Sequence, residues 1–165
     1  MRSTKTCALR SLACAALFAL AACKSSATAS GVADAGGSLD ASVGCANDPR
    51  GETYTPNLQH TGKAGLLHFT LVKSEPAPPI KGNNTWTLEL SNKSGTALTG
   101  ATLKVTPYMP DHGHGTSVKA QITESSSGYQ IAPLYLFMGG IWQVTIEATS
   151  GAQSDSTVFS FCIGG

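Results

Sequence analysis

The chain has 165 residues, and its charges are few and nearly balanced, 11 Lys and Arg against 10 Asp and Glu with four His. A balance this close leaves no basic stripe to displace counterions from nucleic acid, so nucleic acid is not an expected partner. The length allows one folded domain of ordinary size beside its export signals, and no second.

Residues 1–22 have a basic start (Arg2, Lys5, Arg10) and then an apolar run from Leu12 to Ala22. That is the layout of a secretory signal, and the run is shorter than the ~20 residues a membrane-spanning helix needs. It closes on Leu20-Ala21-Ala22-Cys23, the pattern at which bacteria acylate the cysteine sulfur and cleave in front of it. Cys23 is therefore expected to become a lipid-modified N-terminus, whose acyl chains at ~0.8 kcal/mol per buried methylene anchor the protein to a membrane. An ordinary secreted protein with a chance cysteine is the plainer alternative. Lys24 rather than Asp follows Cys23, which under the enteric sorting rule places the protein in the bacterial cell envelope at the outer membrane, facing the periplasm.

Loss of Arg2, Lys5 and Arg10 with the signal leaves eight basic residues against ten acidic. Residues 23–44 form a Ser, Ala, Gly and Asp-rich tether with almost nothing to bury. As a random coil it reaches roughly 25 Å, enough to hold a domain clear of the headgroups. The folded domain is expected over residues 45–165.

Cys7 and Cys14 leave with the signal, so the domain keeps only Cys45 and Cys162. An oxidising compartment favours a disulfide between them; two free thiols or a pair of soft metal ligands are the alternatives.

Within the domain, apolar and polar residues alternate in Gly65–Val72, Thr85–Leu90, Ala101–Met109, Ser117–Glu124, Tyr129–Met138 (broken at Pro133), Ile141–Thr149 and Thr157–Ile163. Trp86, Leu88 and Leu90 should face a core, with Thr85, Thr87 and Glu89 wet. Turn signals lie between, at Asn92–Gly95, Pro110–Gly115, Ser125–Gly128, Gly139–Gly140 and Ser150–Gly151. No stretch carries a helical period. The expectation is an all-β, immunoglobulin-like antiparallel β-sandwich of about seven strands, with Trp86 and Trp142 as core residues and a closed barrel as the alternative. The Pro-rich stretch Ser74–Gly82 reads as a stiff surface connector.

The most unusual local sequence is Met109-Pro110-Asp111-His112-Gly113-His114-Gly115. It holds two imidazoles, a thioether and a carboxylate on a Gly-rich turn, and nitrogen with thioether suits copper better than calcium or magnesium. Met138 precedes the Gly139–Gly140 turn, and strands running up and down in sequence bring both turns to one end. Met109, His112, His114 and Met138 are thus the candidate metal ligands, with copper as the implied cofactor. The alternative makes Met109 and Met138 core filler and lets both His solvate a turn. His60 and His68 have no such company in sequence. No nucleophile elbow, zinc-protease helix or phosphate loop is present, and Asp111 beside His112 lacks a nucleophile, so no enzyme is expected.

The runs NNTWTLEL, GATLKVTPYMPDHGHG and GYQIAPLYLFMGGIWQVTI resemble the YtkA-like/FixH-like domain over about Asn83–Ala148. In that family an M-P-x-M/H-x-H-like turn precedes a Tyr-containing strand and an M-x-G-x-W turn. The resemblance implies an immunoglobulin-like sandwich outside a membrane. Through the FixH branch, associated with copper delivery to haem-copper oxidases, it also implies copper handling. This chain differs in having a lipid anchor and the Cys45/Cys162 pair in place of a transmembrane helix, while Met109, His112, His114 and Met138 match position by position. The competing expectation is a metal-free structural or interaction lipoprotein that meets an envelope protein partner.

Overall fold

The computed structural model describes residues 44–165. The expected signal peptide 1–22, the lipidation site Cys23 and the tether up to residue 43 lie outside the described residues.

Among the described residues nine strands form two antiparallel sheets: β1 Leu58–Thr61, β2 Leu67–Glu75, β3 Gly82–Asn92, β4 Thr102–Met109, β5 His114–Gly115, β6 Gln121–Ser125, β7 Gly128–Leu136, β8 Gly140–Ser150 and β9 Gln153–Ile163. One sheet has the order β1-β2-β3-β7-β6 and the other β5-β4-β8-β9. The expected all-β sandwich is what the chain forms. Among the described residues no helix is long and apolar enough to cross a membrane.

Alternation explains the two layers. In β3 Trp86, Leu88 and Leu90 point inward, and in β8 Trp142, Val144, Ile146 and Ala148 do the same. Trp86 is fully buried, with its ring edge-on to Phe159 and Phe161 of β9 at 6.1 and 5.6 Å. Each large side chain so enclosed contributes roughly 1.5–3 kcal/mol by leaving water. Thr87 departs from the wet face expected of it and is buried. Strand β3 is central, and its register partners Lys73 and Gln130 flank Thr87 on the outer face.

The topology differs from a plain series of hairpins. After β4 the chain turns back through β5, which pairs only Tyr108↔Gly115 and Met109↔His114, then crosses to β6 in the other sheet. After β7 it crosses again to β8, which pairs with β4 from Thr102↔Thr149 to Tyr108↔Gln143. Strands β1 and β5 are additions to the seven expected, and the Ser117–Glu124 strand begins only at Gln121. Because β8 runs antiparallel to β4 with Tyr108 opposite Gln143, the turn after β4 and the turn before β8 lie at one end of the sandwich.

Residues 76–81, between β2 and β3, hold most of the Pro-rich connector. The buried Asn84 fixes it, its Oδ1 accepting the Ile80 N–H at 2.9 Å and its Nδ2 donating to the Ile80 carbonyl at 2.8 Å. The Tyr129 hydroxyl donates to Leu98 O and accepts from Ala101 N, both at 3.0 Å, tying the β3–β4 connection to β7.

Candidate metal centre

The rim is built from two turns. The first leaves β4 at Met109, and Gly113 N donates to Met109 O at 2.9 Å to close it. Gly113 has φ +69, a left-handed conformation that glycine adopts without steric cost and that lets β5 return at once. The second comprises residues 137–139, at the crossing between the sheets. The two touch: Gly140 has φ +128, and a Cβ there would stand 2.9 Å from Met109 Cε.

His114 is held from two sides. Its ring stacks on Phe137 at 5.6 Å and 18°. Its Nδ1 lies 3.3 Å from Gly115 O, and because a carbonyl only accepts, that contact calls for the Nδ1–H tautomer and leaves Nε2 as a free acceptor. His112 lies beside it, ring centres 5.6 Å apart. With a metal–nitrogen bond of about 2 Å, each ring centre sits about 3 Å from a bound ion, so two imidazoles sharing one ion have centres at most about 6 Å apart. The pair meets that condition.

The sulfurs are less accessible. Met109 is fully buried beneath the rim, and Met138 is partly buried against the core. The Met138 backbone has a structural task, since its carbonyl accepts the Trp142 indole N–H at 2.9 Å. Among the described residues no group of three or more His, Cys, Asp or Glu gathers into a metal-holding cluster. A metal at this rim would rest on the His pair, with Met109 and Met138 sulfur as the further candidate donors; imidazole with thioether is a set that fits copper by softness.

Asp111 is occupied elsewhere. Its Oδ1 and Oδ2 accept from Arg50 Nη1 and Nη2 at 2.6 and 2.9 Å, and these hydrogen bonds hold the carboxyl below its usual range. The same guanidinium bonds Asp48 through Nε and Nη2, which brings Asp48 down to about 2. The Arg50–Asp111 pair left no local signal in the sequence, because the two lie 61 residues apart.

Cys45 and Cys162 form a disulfide, with Cα atoms 5.4 Å apart. The expected bridge is thus present, and neither cysteine is a free thiol or a metal ligand.

Elsewhere, His60 has more company than its sequence context suggested. Its Nε2 pairs with Glu52 at 2.7 Å, its Nδ1 lies 3.3 Å from Thr157 Oγ1, and its ring stacks on Phe159 at 4.4 Å. The order hydroxyl, imidazole, carboxylate has the outline of a triad. Thr157 is only 4% exposed, so in this conformation a substrate has no path to its hydroxyl, and the network joins β1, β9 and the segment before β1.

A family model described as YtkA-like matches residues 62–147, more than half of the chain. The chain belongs to the YtkA-like family. The match reaches further toward the N-terminus than the resemblance read from Asn83, and it takes in both rim turns. Arg50 and the Cys45–Cys162 bridge lie outside the matched residues of this YtkA-like chain. No curated protein and no solved structure matches it significantly.

Proposed function

We propose that this YtkA-like protein is a non-catalytic copper-binding module, lipid-anchored through Cys23 on the outer side of a bacterial membrane, that holds or delivers copper at its rim. Its surroundings are then the envelope, with the membrane as one partner through the anchor and an envelope protein as recipient or donor of the metal. The lipobox at Leu20–Cys23 supports the anchor, and Lys24 after Cys23 supports outer-membrane placement facing the periplasm.

One observation carries the reading: His114 is fixed by Phe137 and Gly115 with Nε2 left available, and His112 stands within sharing distance of it. Fixing the imidazole in advance lowers the ordering cost of binding. His112 and His114 would supply nitrogen, and Met109 and Met138 thioether sulfur. Copper would bring a soft, exchangeable metal suited to transfer between proteins.

The test is titration of Cu(I) and Cu(II) into the full chain and into a His112→Ala/His114→Ala variant. The expected result is one copper per wild-type chain at micromolar metal, lost in the variant with the fold intact. Equal binding by both, or none by either, sinks the reading.

A metal-free interaction module is the second reading. An open groove of about 480 Å³ beside the His pair, lined by His114, Thr116, Ser117, Tyr135 and Phe137, favours it. A partner docking there would tolerate loss of copper but not of Phe137.

A further inference from the structure

The segment Cys45–Glu52 is a strap fixed at both ends to β9. At one end is the disulfide to β9. At the other, Glu52 N donates to Ser160 O at 2.7 Å while Glu52 Oε1 accepts Ser160 N at 2.8 Å. Between them Gly51 packs so closely that an added Cβ would stand 3.2 Å from Ile141 Cδ1, and Gly51 N donates to Asp48 O at 2.9 Å. Arg50 is therefore presented from a backbone that is itself tied down.

Its guanidinium forks between two carboxylates. Nε and Nη2 meet Asp48 at 2.9 and 2.6 Å; Nη1 and Nη2 meet Asp111 at 2.6 and 2.9 Å. Only a planar group with several N–H donors serves both carboxylates at once, and a lysine ammonium at this position would act as a single point charge. Asp111 immediately precedes His112 and lies inside the turn that carries both imidazoles.

We propose that Arg50 is the positioning residue of the His112–His114 turn: it holds Asp111 from the strap and so keeps both imidazoles in a metal-receiving arrangement before any metal arrives. The proposal rests on the copper reading for its purpose but not for its geometry. Arg50, always a cation, is no ligand, and both Asp111 oxygens are engaged by it. Both side chains are about half exposed, 41% and 50%, and exposed pairs add little to global stability. The effect of losing Arg50 is therefore local to the turn, leaving the unfolding midpoint of the domain nearly unchanged.

The test uses the full chain as wild type, Arg50→Ala, Arg50→Lys and Asp111→Asn. Amide exchange at Asp111–Gly115 is followed without metal, and copper affinity is measured on the same preparations. Arg50→Ala should speed exchange across the turn about tenfold, leave the β8–β9 core amides unchanged, and weaken copper binding about tenfold, the lower end for residues that orient metal ligands. Arg50→Lys should restore part of both, and Asp111→Asn should resemble Arg50→Ala. Unchanged exchange in Arg50→Ala overturns the proposal whatever copper does, and so does faster exchange with unchanged affinity. Faster exchange in a protein whose wild type binds no copper supports the hold of Arg50 on the turn and overturns the copper reading instead.

Discussion

The two ends of the sandwich each place an aspartate against a loop, and they use it in opposite ways. At the end where β8 meets β9 through Ala148↔Asp155, Asp155 is 7% exposed. Its oxygens accept the backbone N–H groups of Ala64, Leu66, Leu67 and Ser156 at 2.8–3.0 Å. Gly62 leaves room for it, since any Cβ there would collide with the carboxylate. At the rim, near Gly140↔Ile163, Asp111 stands in solvent and meets a side chain instead of backbone. One carboxylate stabilises a closed loop; the other steadies a turn whose imidazoles stay available. A rim that exposes its polar groups has little burial to hold it together, and here a disulfide and an arginine take that part.

Breaking the covalent hold should have the largest effect. Replacing Cys45 and Cys162 by serine opens a loop spanning 117 residues. It should cost about 3–4 kcal/mol by chemical denaturation, a large share of what a small domain has. It should also loosen the strap and hence the rim turn. A change below about 1 kcal/mol would mean that the hydrogen bonds at Glu52 suffice alone.

At the other end, Asp155→Ala strips acceptors from the backbone N–H groups of a buried loop and should cost about 2–3 kcal/mol, with copper affinity unchanged because the site lies a full strand away. Burial opposes ionisation of Asp155, but the four backbone donors outweigh it and hold its carboxyl below the ordinary range. A carboxyl with a lowered folded value contributes stability that is fully present above its unfolded value near 4. That contribution is lost as pH falls through the lowered folded value. Denaturation curves between pH 5 and 2 should therefore fall more steeply for wild type than for Asp155→Asn. Parallel curves would remove Asp155 from this role.

Much of the fold was legible because alternation is a direct record of a two-sided sheet: Trp86, Leu88 and Leu90 face the core as their spacing says. Strand β1 escaped notice because four residues, LQHT, are too few to show a period, and β5 because two residues, His114 and Gly115, look only like a turn. Asp155 carried a signal that was passed over. It shares parity with Thr157, Phe159, Phe161 and Ile163, all buried, so a charge on that face had to find partners. Arg50 carried none, since its bond to Asp111 joins segments that only the folded chain brings together. For the candidate site, the His pair and the meeting of the two turns were readable from strand direction. The stack of His114 on Phe137 was not, because it depends on how the two sheets close over one another; the full burial of Met109 is what the core-filler alternative expected of it.

The central claim is that the rim, and not some other surface, receives copper through the His pair with thioether support. X-ray absorption at the copper edge of the loaded full chain tests it most directly, on wild type beside His112→Ala/His114→Ala. The account predicts imidazole nitrogen and thioether sulfur together in wild type, and no bound copper to give a spectrum in the variant. A spectrum with oxygen and nitrogen only, or one unchanged by removing both histidines, would contradict it.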